Sequence, residues 1–524
     1  MPGGVNYSRI PWLTGLLLMT IGWLIWWAIP ILPNVTIRGD GPIRFLGFSP
    51  DSRMVATIHV EDKVRPAAQR AFAFGPVTLW DARSGREIRK LGKDLLQTKS
   101  VVFSPDNQIM LTVSKDPGST NSLIHAWSME ERESLWNMIV ASEYEIHGRG
   151  LIYRFTPDSK TLVVLCPDDQ LKVLDAQDGN VRATVKGADR FVISPDGGYV
   201  AYTNYGTPWV GDKKVVSPVQ LLNLVSGQPE PGPVDLTDCI QSLAFSPDSQ
   251  LLALATPGIN SLQKIRITMW NCRKKTIDTT MEGDPGNSLH SVGFSNQGQI
   301  FFVKEALLGV MTYWDMSSKP EKLKIDCYDA AISPDGKYIA FSNAMQVLNK
   351  HWAMLGGAPS PTAIERQPLI YIWDVKAKKL AHTHSGLANI GSTSVLDYVP
   401  GTSTLAVKNT WIKVDAGPVS ILRRMLQMRF NEKWIDESNI SLLDTNTGKV
   451  LGVLEHYDRL AISPDGLLLY ASNYDRESRI DLFAIPLRTP WLWIAGCWLF
   501  LVLLFLLAFW RKQKKITRLT ATNQ

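Results

Sequence analysis

The chain has 524 residues, of which 45% are hydrophobic and 20% are charged, and it carries a formal net charge of +6 at pH 7. Five of its cations lie between residues 511 and 518, so the rest of the chain is about neutral. A nucleic-acid-binding domain needs a basic face, and this charge balance therefore predicts that nucleic acid is not a partner. The five cysteines show no CxxC or other metal-ligand spacing, which argues against a zinc domain.

The first predicted element is an uncharged apolar segment at residues 12–32, which follows a short tail at residues 1–11. A segment of this length can cross about 30 Å of hydrocarbon as a helix. Tryptophans at positions 23, 26 and 27 crowd one end, where amphipathic rings prefer to lie. The alternative is a cleaved signal peptide, but no small-residue cleavage motif follows the segment. We therefore predict a transmembrane helix.

From residue 45 onward an apolar strand, a Ser-Pro-Asp-Gly-like turn and a second apolar strand recur nine times. The clearest copies are FVISPDGGYVAYT from Phe191, AAISPDGKYIAFS from Ala330 and LAISPDGLLLYAS from Leu460. Serine can bond back to the backbone, proline presets φ, and aspartate with glycine completes a type I turn. Recurrence at a period of roughly 40–50 residues predicts a repeat architecture.

Each repeat continues into a third strand and usually a fourth, and four antiparallel strands form one blade of a β-propeller. The endings Trp80-Asp81, Trp314-Asp315 and Trp373-Asp374 resemble those of WD40 repeats, and the turns resemble both that family and the related TolB-type propellers. The Gly-His dipeptide that opens a typical WD40 repeat is missing. The resemblance implies an all-β fold, a single propeller of eight or nine four-stranded blades over residues 34–487.

The ninth repeat ends after three strands, whereas an orphan strand, Asn34–Arg38, precedes the first repeat. Pairing the orphan with the last blade would remove two exposed sheet edges at once. The sequence therefore predicts that Asn34–Arg38 is the outer strand of the last blade and closes the ring.

Three stretches interrupt the repeat period: residues 61–75 in the first unit, 343–368 in the seventh and 409–438 in the eighth. In the last of these, Ser420 can cap a helix, which we predict to run through about Trp434, with one apolar and one basic side. Such a helix can lie on a membrane surface, bind a partner protein or pack over the rim of the ring. The predicted partner contacts are Ile421, Arg424, Met425 and Trp434.

A second uncharged apolar segment, residues 491–510, follows the repeats and is also long enough to span a membrane. The basic tail at residues 511–524 comes next. Because cations that flank a membrane helix stay on its cytoplasmic side, we predict that both tails are cytoplasmic. The propeller, flanked by two transmembrane helices, would then lie outside the cytoplasm, in the periplasm of a bacterium.

No linear motif of a catalytic, cofactor or metal site is present: the chain lacks a nucleophile elbow, a P-loop, an HExxH motif and a dinucleotide fingerprint. His382 and His384 share one face of a predicted strand and could bind a metal, but polar residues are ordinary on an outer strand. The recurrent turn aspartates are interpreted as turn formers. We therefore predict a protein that is not an enzyme and has no cofactor.

The resulting prediction is a membrane-tethered propeller that serves as a platform for protein–protein interaction outside the cytoplasm. A propeller offers rigid rims, and inserted loops supply specificity. Two alternatives remain open: an enzyme or small-ligand-binding propeller with its site at the channel mouth, and an envelope assembly factor like TolB. Fold analogy separates these poorly.

Overall fold

The computed structural model describes most of residues 31–487, with its longest gaps at residues 60–75, 141–150, 343–369 and 415–433. Beyond that stretch it describes Thr20, Leu499, Phe500 and Leu503, each in helical conformation. Among the described residues no helix has the length and apolar character that crossing a membrane requires. The predicted segments 12–32 and 491–510 lie almost entirely outside the described part of the chain.

The strands follow one another in blades. The first, β1, is Val35–Arg38. Blade 1 consists of β2 (Ile43–Phe48), β3 (Met54–His59), β4 (Val77–Asp81) and β5 (Glu87–Leu91), and blade 2 of β6 (Leu96–Phe103), β7 (Ile109–Lys115), β8 (Ser122–Ser128) and β9 (Ser134–Val140). Blade 3 consists of β10 (Ile152–Phe155), β11 (Thr161–Leu165), β12 (Gln170–Asp175) and β13 (Val181–Lys186). Blade 4 consists of β14 (Arg190–Ile193), β15 (Tyr199–Thr203), β18 (Val219–Asn223) and β19 (Pro229–Glu230), with the separate hairpin β16 (Trp209–Val210) and β17 (Lys213–Lys214) between β15 and β18.

Blade 5 consists of β20 (Ser242–Phe245), β21 (Leu251–Thr256), β22 (Lys264–Asn271) and β23 (Thr276–Pro285), and blade 6 of β24 (Leu289–Phe294), β25 (Ile300–Glu305), β26 (Val310–Asp315) and β27 (Glu321–Asp326). Blade 7 consists of β28 (Asp329–Ile332), β29 (Tyr338–Ser342), β30 (Ile370–Asp374) and β31 (Lys379–His384), and blade 8 of β32 (Gly391–Tyr398), β33 (Thr404–Val414), β34 (Trp434–Asp444) and β35 (Lys449–Glu455). Blade 9 contains β36 (Arg459–Ile462), β37 (Leu468–Ser472) and β38 (Arg479–Ala484). Over the described residues these strands form nine four-stranded antiparallel sheets and one two-stranded hairpin. The protein is therefore a nine-bladed β-propeller, in agreement with the sequence repeats.

The ring closes as predicted. Blade 9 has the strand order β1-β38-β37-β36, with Val35 opposite Leu482 and Arg38 opposite Arg479. The Asp481 side chain, which is 2% exposed, accepts hydrogen bonds from Thr36 Oγ1 (2.8 Å), Tyr457 Oη (2.7 Å) and Arg479 Nε (2.7 Å). This buried carboxylate therefore joins the N-terminal strand to the last blade.

Apolar side chains fill every seam between blades. Nine hydrophobic clusters each combine residues of two consecutive blades, and together they account for the nine seams of the ring. At the closing seam, Ile37 and Leu482 of blade 9 pack against Val55 and Trp80 of blade 1. Because the clusters lie between sheets, each blade depends on both of its neighbours for its core.

The Ser-Pro-Asp turns also link blades to one another. Within a turn the serine hydroxyl bonds the aspartate, as Ser463 Oγ does with Asp465 Oδ1 at 2.6 Å. The Asp465 N–H then donates to Ser52 Oγ of blade 1 at 3.1 Å, and the same contact joins Asp106 to Ser159 and Asp196 to Ser249. These serines adopt positive φ values of 58° to 63°. Four of the other turns carry glycine in this conformation, namely Gly197, Gly298, Gly336 and Gly466.

Strand direction gives the ring two distinct rims. The Ser-Pro-Asp turns and the connections from third to fourth strand lie on one rim, here called the turn rim. The second strands end and the third strands begin at the opposite rim, here called the insertion rim. The ends of β3 and β4, of β29 and β30, and of β33 and β34 at this rim flank residues 60–76, 343–369 and 415–433. The chain enters β1 and leaves β38 at the turn rim, and Ile31 and Leu487 both contact the outer strand of blade 8 at Gly452. The two ends of the ring therefore meet at one seam.

Candidate functional site

The residues predicted to contact a partner belong to the eighth blade. Ile421, Arg424 and Met425 lie outside the described residues. Trp434 is the first residue of β34 and pairs with Val414. The prediction of a helix that runs through Trp434 is therefore wrong at its C-terminal end. Aromatic and β-branched residues on both sides of the gap favour the strand ladder that forms here.

The central strands of blade 8 are extended. Here β33 and β34 have 11 residues each, whereas β29 and β30 of blade 7 have 5 each. Six additional residues in each strand lengthen this blade-8 hairpin (residues 404–414 and 434–444) by about 20 Å. Residues 409–414 and 434–438 of the stretch 409–438, which the repeat period marks as an insertion, thus continue the blade toward the insertion rim. The predicted insertion 343–368 lies outside the described residues.

The histidines and cysteines that could carry chemistry have structural surroundings. His382 Nε2 lies 2.9 Å from the Asn446 carbonyl oxygen of blade 8, so this ring supports the seam between two blades. Burial lowers the pKa of His384 and raises the pKa of the Cys166 and Cys272 thiols to about 11. Within the described part of the chain no group of three or more His, Cys, Asp or Glu residues is arranged to hold a metal ion.

The innermost strands of the blades line the central channel, and their residues alternate. Counted along the ladder from the turn, the second and fourth rungs hold small or polar residues except at Val102, Val192 and Ile152, while the first and third rungs hold apolar residues that fill the seams. At the fourth rung lies a set of residues, here called the channel-mouth ring, and in blades 3, 4, 5, 7 and 9 this is the last rung before the insertion rim. Its members are Arg44, Ser100, Ile152, Arg190, Ser242, Ser291, Asp329, Ser394 and Arg459.

Charge is distributed unevenly around the channel. Arg44, Arg190 and Arg459 of the channel-mouth ring are exposed, as is Arg154 at the second rung of blade 3. With Lys99 of blade 2, the five consecutive blades from 9 through 4 each contribute one cation to an inner strand. The two acids of the described inner strands, Asp329 and Asp397, belong to blades 7 and 8. Along the described inner strands, blades 9 through 4 therefore carry the cations and blades 7 and 8 carry the acids; the five cationic blades are called the basic arc.

Neighbouring contacts hold this side of the channel in place. The Phe45 ring stacks on Tyr470 across the seam of blades 1 and 9, with centroids 3.9 Å apart. The Tyr470 hydroxyl bonds Ser472 Oγ at 2.6 Å, and Ser472 is the ladder partner of Arg459. In blade 4, Arg190 donates to the Gln241 carbonyl oxygen of blade 5. Rigid strands therefore position these arginines, rather than loops.

Comparison with known proteins adds little. No protein-family model matches the chain, and no curated protein is significantly similar in sequence. Among solved structures, the β-propeller domain of Myceliophteria thermophila Cps50 (Swd1) is 12% identical and covers 59% of this chain and 93% of its own, with a TM-score of 0.35. A chain of a mitotic checkpoint complex is 17% identical and covers 60% of this chain and 90% of its own, with a TM-score of 0.36.

Proposed function

We propose that this protein is a membrane-tethered, non-catalytic propeller that binds partner proteins at its insertion rim outside the cytoplasm. The observation that carries the proposal is that the parts of the ring that form the fold and the parts available for binding are different. Blade strands and turns form the fold, whereas the strand ends that flank the long connections of blades 1, 7 and 8 all lie on the insertion rim. Connecting segments on a rigid scaffold are the usual place for binding residues.

The geometry of the chain ends supports the tether. Residues 12–32 and 491–510 are uncharged and each suffices for one membrane span. Ile31, at the end of the first segment, and Leu487, shortly before the second, both pack on Gly452: a Cβ built at Gly452 would lie 3.1 Å from Ile31 Cδ1 and 2.8 Å from Leu487 Cδ1. Two spans that begin at one seam can enter a bilayer side by side without opening the ring.

A deletion at the tip of the blade-8 hairpin tests the binding role. Val414 and Trp434 are the last paired residues, so Asn-Gly can replace residues 415–433 as a two-residue type I′ turn. We expect the thermal midpoint to stay within a few degrees, because a shorter loop costs little closure entropy, while proteins captured from native membranes by the full chain are lost.

The matched control replaces residues 61–75 of blade 1 with a short Gly/Ser linker on the same rim. This variant should keep the captured proteins. Capture that is unchanged after the blade-8 deletion would contradict a binding role for this hairpin. A collapse in stability would show instead that residues 415–433 cover the core.

Orientation is tested by protease added to cells whose outer barrier has been opened. The cations at residues 511–518 favour a cytoplasmic C-terminal tail, so a C-terminal tag should survive while the propeller is cleaved. Loss of the tag together with survival of the propeller would reverse the proposed orientation.

A further inference from the structure

On the basis of the membrane tether proposed above, we propose that an apolar patch at the two ends of the ring lies in the headgroup region of the bilayer, so that the propeller stands on its turn rim. The patch, here called the exit patch, consists of four side chains that are 43% to 55% exposed, namely Leu32, Val450, Leu451 and Leu467. Exposed apolar patches of this kind mark surfaces that contact a protein or a membrane.

Contacts on blade 8 place the exit patch where the chain enters and leaves the ring. Leu32 directly follows Ile31, and Leu451 directly precedes Gly452. Ile31 and Leu487 both pack on Gly452, within 3.1 Å of the position that a Cβ would occupy there. The residues that flank the ring on both sides therefore run beside the exit patch.

Hydrogen bonds on blade 9 hold the same region in place. The Leu467 carbonyl oxygen accepts a hydrogen bond of 2.8 Å from the Ile485 N–H. Next to it, the Ala484 N–H donates to the Asn34 side-chain oxygen at 2.7 Å. The exit patch is thus part of the rigid closure of the ring, and the exposure of its side chains belongs to the folded ring.

Apolar exposure is concentrated on the turn rim. Among the described residues 31–487, the large apolar side chains that are exposed all lie at or beside this rim, except Ile139 and Ile152. Those on the turn rim are Leu32, Ile88, Val181, Val225, Ile277, Leu380, Val450, Leu451 and Leu467. The rim opposite the proposed partner-binding loops is therefore the more apolar of the two.

Chain connectivity selects the bilayer as the occupant. Leu32 is the last residue of the uncharged segment 12–32, and only residues 488–490 separate Leu487 from the segment 491–510. Four residues of extended chain reach about 14 Å at most, so two inserted segments would keep lipid next to the exit patch. A second copy of the chain would have to be recruited, whereas a tethered surface acts at high effective concentration.

The test is photochemical cross-linking of the full chain in vesicles of phosphatidylethanolamine and phosphatidylglycerol. The photoreactive residue p-benzoyl-phenylalanine replaces Leu451 or Leu467. The matched control carries it at Ile139, which is 54% exposed and lies near the insertion-rim end of the outer strand of blade 2. Because the strands separate the two rims by about 17–20 Å, lipid adducts should be at least about tenfold more abundant at Leu451 and Leu467 than at Ile139.

Flotation of the same vesicles separates failure of the patch from failure of the tether. A chain that floats with the vesicles but gives equal lipid adducts at all three positions, or none, refutes the exit patch and leaves the tether standing. Adducts that join two copies of the chain at Leu451 or Leu467, in place of lipid, also overturn the proposal and assign the patch to self-association. A chain that does not float refutes the tether and the patch with it. Val450 replaces either position if a probe variant does not fold.

Discussion

Ring closure through β1 predicts a localised effect of Ile37→Ala. The Ile37 side chain is fully buried in the cluster that joins blades 9 and 1. Truncation of a buried isoleucine to alanine costs about 2–5 kcal/mol, and about 3 kcal/mol corresponds to a change of roughly 150-fold in an equilibrium constant. Because Ile37 lies on the strand that closes the ring, we expect this cost to appear as easier detachment of β1.

Hydrogen exchange measures that detachment directly, since exchange reports local opening. Amides of β38, the ladder partner of β1, should exchange roughly 100-fold faster in Ile37→Ala, whereas those of blades 3 to 5 should keep their rates. Ile88→Ala makes the same chemical change on the outer strand of blade 1, where the side chain is 44% exposed, and it should leave β38 unaffected. Exchange in β38 that is unchanged, or that accelerates equally in all blades, would refute closure by this strand.

Thr36→Val removes one donor to the buried Asp481 carboxylate and should lower stability by about 1 kcal/mol in denaturant titrations; a neutral result would remove Thr36 from the closure. The free energy of unfolding of Ser52→Ala should be about 1 kcal/mol lower than that of Ser52→Gly. Both variants lose the hydrogen bond from the Asp465 N–H, but only glycine suits a φ of 60°. The reverse order would contradict the turn contact. Hydrogen bonds from the Ser84 side chain and backbone lower the pKa of Asp81. The resulting stabilisation is fully present above the unfolded pKa of about 3.9 and is lost as pH falls through the lower folded value, so urea midpoints should drop as pH falls below about 4. Ser84→Ala should reduce that drop, and identical pH profiles would exclude the Asp81 contribution.

The repeat turns predicted the blades well because their chemistry is local. Ser463, Pro464 and Asp465 specify one turn whatever lies around it, and the same triplet recurs often enough to place strands on either side. The closing strand was also predictable, since the ninth repeat visibly lacks its fourth strand. The predicted helix was wrong at its C-terminal end, Trp434, because the basic amphipathic pattern favoured a helix. Residues Trp411 to Val414 and Trp434 to Ile435, which pair in the structure, are typical of strands.

The channel-mouth ring could not be found by counting from the turns. Arg190 and Arg459 stand four residues before their turn serines, whereas Arg44 stands five before Ser49. A β-bulge between Phe45 and Gly47 absorbs the extra residue and returns Arg44 to the rung of the other two. Overall charge also gives no sign of the arc, because its five cations are few among the 55 lysines and arginines of the chain.

Closure and tethering involve the same strand pair. If residues 12–32 and 491–510 span a membrane as proposed, each connects within a few residues to β1 or β38, the two strands that close the ring. Separation of the two spans would then pull β1 away from β38, and the contacts that resist it are the ladder, the Ile37 seam and the Asp481 carboxylate with its three donors. Because Asp481 is buried, its detachment would leave a carboxylate short of partners, which is costly in a low dielectric. The last blade is therefore where the stability of the ring and the arrangement of the spans constrain each other.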